Sequence, residues 1–277
     1  MVAGSAGTIV VAFDGSPHAD AALVWAARTA ALEERPVRAV IVEDGTSERG
    51  SAADSASDDL ADQVGSVLAD AGATGALERY SGDAESVILE QARDAEMLVA
   101  GSRGRGPAAS TLLGSVSQHL ARHATCPLVV VRREPRADAT RILVGIDGSS
   151  DCVAALRFAC RRAALTKETV AALHAWNPGR VQLDYHGQLP ETLADRSEAA
   201  DALLAETVAD ARREFPEVSV VPESVAMPAS EALTDASANA SLVVTGSRGL
   251  GAVTGLLLGS VSQHLLHHAH CPVAVIR

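Results

Sequence analysis

Apolar and polar positions follow two rhythms along this chain, and the two take turns. Short runs of aliphatic and β-branched residues, Thr8 to Phe13, Val37 to Val42, Ala76 to Tyr80, Met97 to Ala100 and Leu128 to Val131, read as strands. Between them lie alanine-rich stretches whose apolar positions return at helical spacing: Ala19 to Leu32, Asp58 to Ala71, Ala84 to Ala95 and the segment from Ser115. The same order then restarts. Strands are expected at Arg141 to Ile146, Val170 to Ala175, Ser219 to Val225, Leu242 to Thr245 and Val273 to Ile276. Helices are expected at Cys152 to Leu165, Asp195 to Phe215, Ala229 to Ala240 and from Ser260. Ser16-Pro17 and Ser149-Ser150 supply a cap and a first turn. Two polar segments, Gly45 to Ser57 and Pro178 to Glu191, differ in length and composition, as surface insertions do. Strands alternating with helices at this spacing predict an α/β fold, a parallel sheet with helices on both faces. Such sheets bind ligands outside the carboxyl ends of their strands, where strand order reverses.

The restart is a duplication. Gly101 to Arg132 and Gly246 to Arg277 align without a gap, with about 20 of the 32 positions identical. A chain of 277 residues with 47% hydrophobic content has material for two cores. Two tandem repeats are therefore expected, residues 1–134 and 140–277, with the charged, proline-containing stretch Arg132 to Thr140 as linker. A net charge of −12 offers no attraction to nucleic acid or an anionic membrane, and 3% aromatic residues leave few surfaces for stacking bases. Cys126, Cys152, Cys160 and Cys271 lack the spacing of a zinc ribbon or a redox pair, and neither a signal peptide nor a spanning apolar run is visible, so a reduced, cytoplasmic protein is expected.

Chemistry concentrates where the fourth strand of each repeat ends. Gly101-Ser102-Arg103-Gly104, nine residues, Gly114-Ser115 recurs as Gly246-Ser247-Arg248-Gly249, nine residues, Gly259-Ser260. Glycines after a strand, followed by Gly-Ser opening a helix, let a loop wrap its N–H groups around an anion. At these positions glycine is expected to permit positive φ and close approach of a ligand. Ser115, Ser117, Ser260 and Ser262 can add hydroxyl donors, and Arg103 and Arg248 can reach phosphate oxygens. Arg105 adds a cation where the second loop has Leu250. Asp14 and Asp147 end the first strands, placed to hold a ribose hydroxyl or a phosphate-bound metal, or simply to form an Asp-Gly turn that caps the next helix. His264, His267, His268 and His270 beside Cys271 raise a metal reading, weakened because the first repeat has only His119 and His123 in those places; no metal site is expected. The Walker phosphate loop and the dinucleotide fingerprint are both absent, and Lys167 is the only lysine, so no lysine serves either loop. Binding is expected rather than efficient phosphoryl transfer.

This doubled pattern, with the first-strand Asp and a closing Cys-Pro strand, resembles the universal stress protein family in its tandem, ATP-binding form. The resemblance covers nearly the whole chain. It implies a Rossmann-like fold of five-stranded parallel sheets, order 3-2-1-4-5, with the repeats forming an intramolecular pseudo-dimer through their last strands and leaving faces for a further homodimer. It implies ATP in each repeat, with Mg as a companion cation. Asp14 and Asp147 would lie near the nucleoside, and Val42 and Ala175 beside adenine. The loops Gly101 to Gly106 and Gly246 to Gly251 would cover ribose and phosphates. Ser115, Val116 and Ser117, with Ser260, Val261 and Ser262, would receive the phosphate tail. Family members often carry glycine two residues before the first Asp; Gly145 keeps it and Ala12 does not, so a methyl group is expected to crowd the first nucleoside. The leading reading is a nucleotide-dependent regulatory or stress-response protein with unidentified protein partners. The alternatives are a slow ATPase or self-phosphorylating enzyme, and a nucleotide-independent scaffold.

Overall fold

The computed structural model describes residues 7–43, 51–104, 113–177, 193–251 and 257–277. The chain divides into two compact units, Met1–Glu134 and Pro135–Arg277. The first contains β1 (Ile9–Ala12), α1 (Pro17–Glu33), β2 (Val37–Glu43), α2 (Ser51–Ala71), β3 (Gly75–Ser81), α3 (Ala84–Gln91), β4 (Met97–Gly101), α4 (Ser115–His123) and β5 (Leu128–Val131). The second contains β6 (Arg141–Gly145), α5 (Ser150–Thr166), β7 (Thr169–Ala175), α6 (Leu193–Glu214), β8 (Val220–Val225), α7 (Ala229–Ser237), β9 (Leu242–Gly246), α8 (Ser260–His268) and β10 (Val273–Ile276).

Within the first unit the strands lie in the order β3-β2-β1-β4-β5, and within the second in the order β8-β7-β6-β9-β10. All these pairings are parallel, with Ile9 opposite both Val37 and Met97, and Ile142 opposite both Val170 and Leu242. Numbered from its own first strand, each unit is therefore 3-2-1-4-5. The inner strands carry almost no polar side chains because helices cover both faces; Ile9, Val10, Leu98, Val99, Leu143 and Val144 are fully buried. Chain direction across the sheet reverses between the first and fourth strand, β1 and β4 or β6 and β9. The crevice at their carboxyl ends is where a ligand fits.

The helices form for legible reasons. Ser16 and Ser149 accept the N–H groups of Ala19 and Cys152 at 3.2 Å, and Pro17 starts α1 where a missing N–H costs nothing. Both helices end in a left-handed residue, Glu34 (φ 52°) and Lys167 (φ 61°), so the lone lysine closes α5. Small residues on the buried face of α1, Ala19, Ala22, Ala26 and Ala30, let that helix lie close against the sheet. The segment Gly45 to Ser57 departs from expectation. Its residues 51–57, short and alanine-containing, extend α2 back to Ser51, while its residues 45–50 and the whole of Pro178 to Glu191 lie outside the described residues. α3 and α7 stop at Gln91 and Ser237, short of the expected Ala95 and Ala240. There the chain tightens into turns, Ala95 N–H donating to Ala92 O and Ala240 N–H to Ser237 O, before entering β4 and β9. At the outer end of the second sheet, β8 carries Pro222, in register with Ala172, beside a 42% exposed Val221.

Candidate functional site

In the first unit β1 runs into Asp14, whose Oδ1 accepts the Ser16 N–H at 3.0 Å across Gly15 (φ 70°). β4 runs into Gly101 and the loop that follows. Gly114 N–H donates to Ser102 O at 2.8 Å, which closes the loop, and Ser117 Oγ donates to Gly101 O at 2.6 Å, which pins the strand end to α4. Ser16 Oγ adds a longer bond to Arg103 O at 3.5 Å. Between these elements lies a cavity of about 590 Å³, within the range of small-molecule sites. Of the residues expected there, Ala12, Asp14, Val42, Gly101, Arg103, Gly104, Gly114, Ser115, Val116 and Ser117 line it. Ser102 sits behind the loop, and Arg105 and Gly106 lie outside the described residues.

The second unit repeats this construction. Gly259 N–H donates to Ser247 O and Ser262 Oγ to Gly246 O, both at 2.7 Å. Asp147 Oδ1 accepts Ser149 N–H at 3.0 Å, and its Oδ2 accepts Leu250 N–H at 3.0 Å. The cavity is about 400 Å³ and is lined by the expected Gly145, Asp147, Ala175, Gly246, Arg248, Gly249, Gly251, Gly259, Ser260, Val261 and Ser262. Ser247 lies behind the loop, and the Leu250 side chain, 72% exposed, faces solvent.

Two expectations about these loops change. Among the described residues Gly101, Gly104, Gly114, Gly246, Gly249 and Gly259 are not in the left-handed region; positive φ belongs to Gly15 and Gly148 of the Asp-Gly-Ser turns. What the loop glycines provide is space. A Cβ on Gly101 would stand 2.5 Å from His18 O, and one on Gly104 would stand 2.6 Å from Asp14 Oδ2. Ser117 and Ser262 spend their hydroxyl protons on backbone carbonyls, so of the four expected serines Ser115 and Ser260 are the ones left to serve the cavities, beside the first-turn backbone N–H groups of α4 and α8. Neither helix has a capping side chain or an acidic residue in its first turn, because glycine stands at each N-cap. An uncapped N-terminus beside a cavity favours an anion there.

Ala12 lines the first cavity, which at about 590 Å³ is roomier than the second at about 400 Å³. Opposite Gly145 the space is taken by Leu233, whose Cδ1 would lie 3.0 Å from a Cβ there; Ile88 lines the first cavity from α3. The sequence reading missed these apolar walls: Phe13, Ala84, Ile88 and Leu113, matched by Ile146, Ala229, Leu233 and Leu258. Their signal was the helical spacing of Ala84 and Ile88 at the start of α3. Cys152 also lines the second cavity, and burial pushes its thiol above the ordinary range, helped by the Asp147 charge. The C-terminal histidines form ring contacts, His264 with His268 at 4.3 Å and His267 with His268 at 6.2 Å. Among the described residues no three His, Cys, Asp or Glu side chains form a group able to hold a metal ion. Nor, among them, is any helix long and apolar enough to cross a membrane.

A family model described as the universal stress protein family matches residues 6–132 and again 139–277. A universal stress protein of Mycobacterium tuberculosis is 35% identical over 305 aligned positions, covering 97% of this chain and 96% of that one. One from Mycolicibacterium smegmatis is 33% identical over 294 positions, with 97% and 96% covered. Among solved structures, a universal stress protein from Archaeoglobus fulgidus superposes with a TM-score of 0.74 over 98% of both chains, at 20% identity, a likeness of fold.

Proposed function

Because this chain belongs to the universal stress protein family, with one family unit in each repeat, we propose that each repeat holds one molecule of ATP and that nucleotide occupancy sets the chain's conformation or its choice of protein partners. The observation that carries this reading is the pairing, in both cavities, of an apolar slot with an open helix N-terminus. Val42 and Ile88, or Ala175 and Leu233, offer flat aliphatic walls to a ring. Asp14 and Asp147, each held by the N–H two residues on, stand between that slot and the glycine loop, where a ribose hydroxyl can donate to them. Arg103 and Arg248, with the first-turn N–H groups of α4 and α8, face the space left for phosphates. The residues present therefore fit a nucleotide. Bound ATP would supply a charged tail whose length the loops can read.

The described side chains favour holding over turnover. Lys167 caps the far end of α5, 17 residues long and hence about 25 Å from the loop end of that helix. The four cysteines are all buried and none is in a disulfide, which suits the reducing cytoplasm that completes this reading.

The test is to denature freshly purified protein, identify the released nucleotide by chromatography and count it per chain. Close to two adenine nucleotides per chain are expected, falling when Gly114→Ala and Gly259→Ala are combined. Protein that purifies empty and binds no ATP by calorimetry would sink the reading.

A further inference from the structure

The two repeats differ in charge at the second residue of their first helix: His18 in α1, Asp151 in α5. Asp151 Oδ2 accepts from Ser247 Oγ at 3.0 Å and from the Arg248 N–H at 3.2 Å. Asp147 Oδ2 meanwhile accepts the Leu250 N–H. Two carboxylates of the protein thus already take donors of the second glycine loop, presenting to it the chemistry a phosphate oxygen would present.

In the place of Asp151 the first loop meets His18. That residue turns a backbone carbonyl toward Gly101. Ser102, the counterpart of Ser247, is 1% exposed, and among the described residues its hydroxyl has no hydrogen-bond partner. Burial, then the charges of Arg103 and Arg132, hold the His18 imidazole below its ordinary pKa against the opposing pull of Asp14. At that position the first repeat therefore has an imidazole set among Arg103, Asp14 and Arg132, where the second has a carboxylate that takes the loop's donors. The first cavity is also the roomier, at about 590 Å³ against about 400 Å³.

We propose that the residue at this position sets how much each site gains from added phosphates: with His18 the first repeat is the polyphosphate-selective site, and with Asp151 the second binds adenine nucleotides nearly regardless of phosphate number. This rests on the nucleotide reading of the same cavities. Asp151 does not line the second cavity; it acts through the loop, as a positioning residue. A triphosphate tail there has to take the Arg248 N–H from a carboxylate and then lie beside it, whereas the nucleoside end meets neither.

The test is calorimetric titration of the full chain with adenosine, AMP, ADP and ATP, for the wild type, Asp151→His, Asp151→Asn and His18→Asp. Asp151→His and His18→Asp each place the residue that the sister repeat already accommodates, and Asp151→Asn keeps an acceptor for Ser247 while removing the charge. Two classes of ATP site are expected in the wild type. Both Asp151 variants should tighten the weaker class by about tenfold and His18→Asp should weaken the tighter class by about as much, with adenosine affinity unmoved. If the gain from adenosine to ATP is the same in all four proteins, the inference is overturned and the nucleotide reading stands. If no ligand in the series binds the wild type, both fall.

Discussion

Gly101 and Gly114 belong to one loop and are glycine for different reasons. Gly101 has a backbone carbonyl, His18 O, 2.5 Å from where a Cβ would stand, while a Cβ on Gly114 would meet nothing nearer than Arg103 Cα at 3.4 Å, an ordinary contact. Gly101→Ala is therefore expected to destabilise the chain by about 2 kcal/mol or more, since neither strand nor helix end yields easily. Gly114→Ala should leave the thermal midpoint nearly unchanged and weaken nucleotide binding, because the new methyl projects beside the α4 N–H groups. Melting curves and calorimetry on the two variants separate these roles. Ser117→Ala removes a buried hydroxyl that donates to Gly101 O at 2.6 Å, and about 1 kcal/mol of stability should go with it. The spacing of the glycines was legible in the sequence, but their cause was not. Positive φ is a local property that a motif suggests, whereas the crowding at Gly101 comes from a helix more than eighty positions away.

Elements in the first repeat are tied by a polar cluster that no periodicity announces. Arg38, on β2 and only 9% exposed, donates to both oxygens of Glu78 on β3, at 2.7 Å for the closest contact, and to Gln91 Oε1 at the end of α3 at 2.8 Å. Tyr80 Oη lies 2.9 Å from Glu78 Oε2 and 2.9 Å from Gln91 Oε1, within reach to donate its one proton to either. Glu78→Ala leaves the Arg38 guanidinium without its counter-charge. The expected cost is about 2 kcal/mol, less than for a fully buried pair because Glu78 is partly solvated. The hydrogen bonds from Arg38 hold the Glu78 carboxyl below its ordinary 4.5, against the upward push of burial. A carboxyl held low in the folded state stabilises it above that ordinary value, and the contribution is lost as pH falls through the lowered one. Thermal midpoints measured from pH 6 down to pH 3 should fall less steeply in Glu78→Gln than in wild type. Strand and helix order were readable because buried parallel strands are nearly free of charge. Arg38 is an exception, and Glu78 is brought to it only by the pairing of β2 with β3.

Across the whole molecule, the duplication was plain in the sequence because the last third of each repeat is nearly shared, while the charge exchange at His18 and Asp151 was hidden in first helices that have diverged. Buried thiols give the chain a common alkaline limit. Burial pushes Cys160 up to about 11 and Cys271 up to about 12, from an ordinary 9.0, with Glu214 and Glu217 adding to the first. Thiols whose folded pKa is raised stabilise the fold fully below pH 9, and that contribution is lost as pH rises through about 11 and about 12. The thermal midpoint should therefore decline between pH 9 and 11, and the combined change Cys160→Ala and Cys271→Ala should flatten the decline. At neutral pH the same thiols should resist alkylation until the chain unfolds. The rim of the second sheet bears on the protein's behaviour in concentrated solution. A proline on an outer strand cannot donate to an incoming strand, so Pro222 interrupts the row of backbone groups along which one molecule would otherwise zip onto the next. Pro222→Val is expected to open that rim to strand pairing, visible as thioflavin-positive aggregation on storage of a protein whose melting point has not changed.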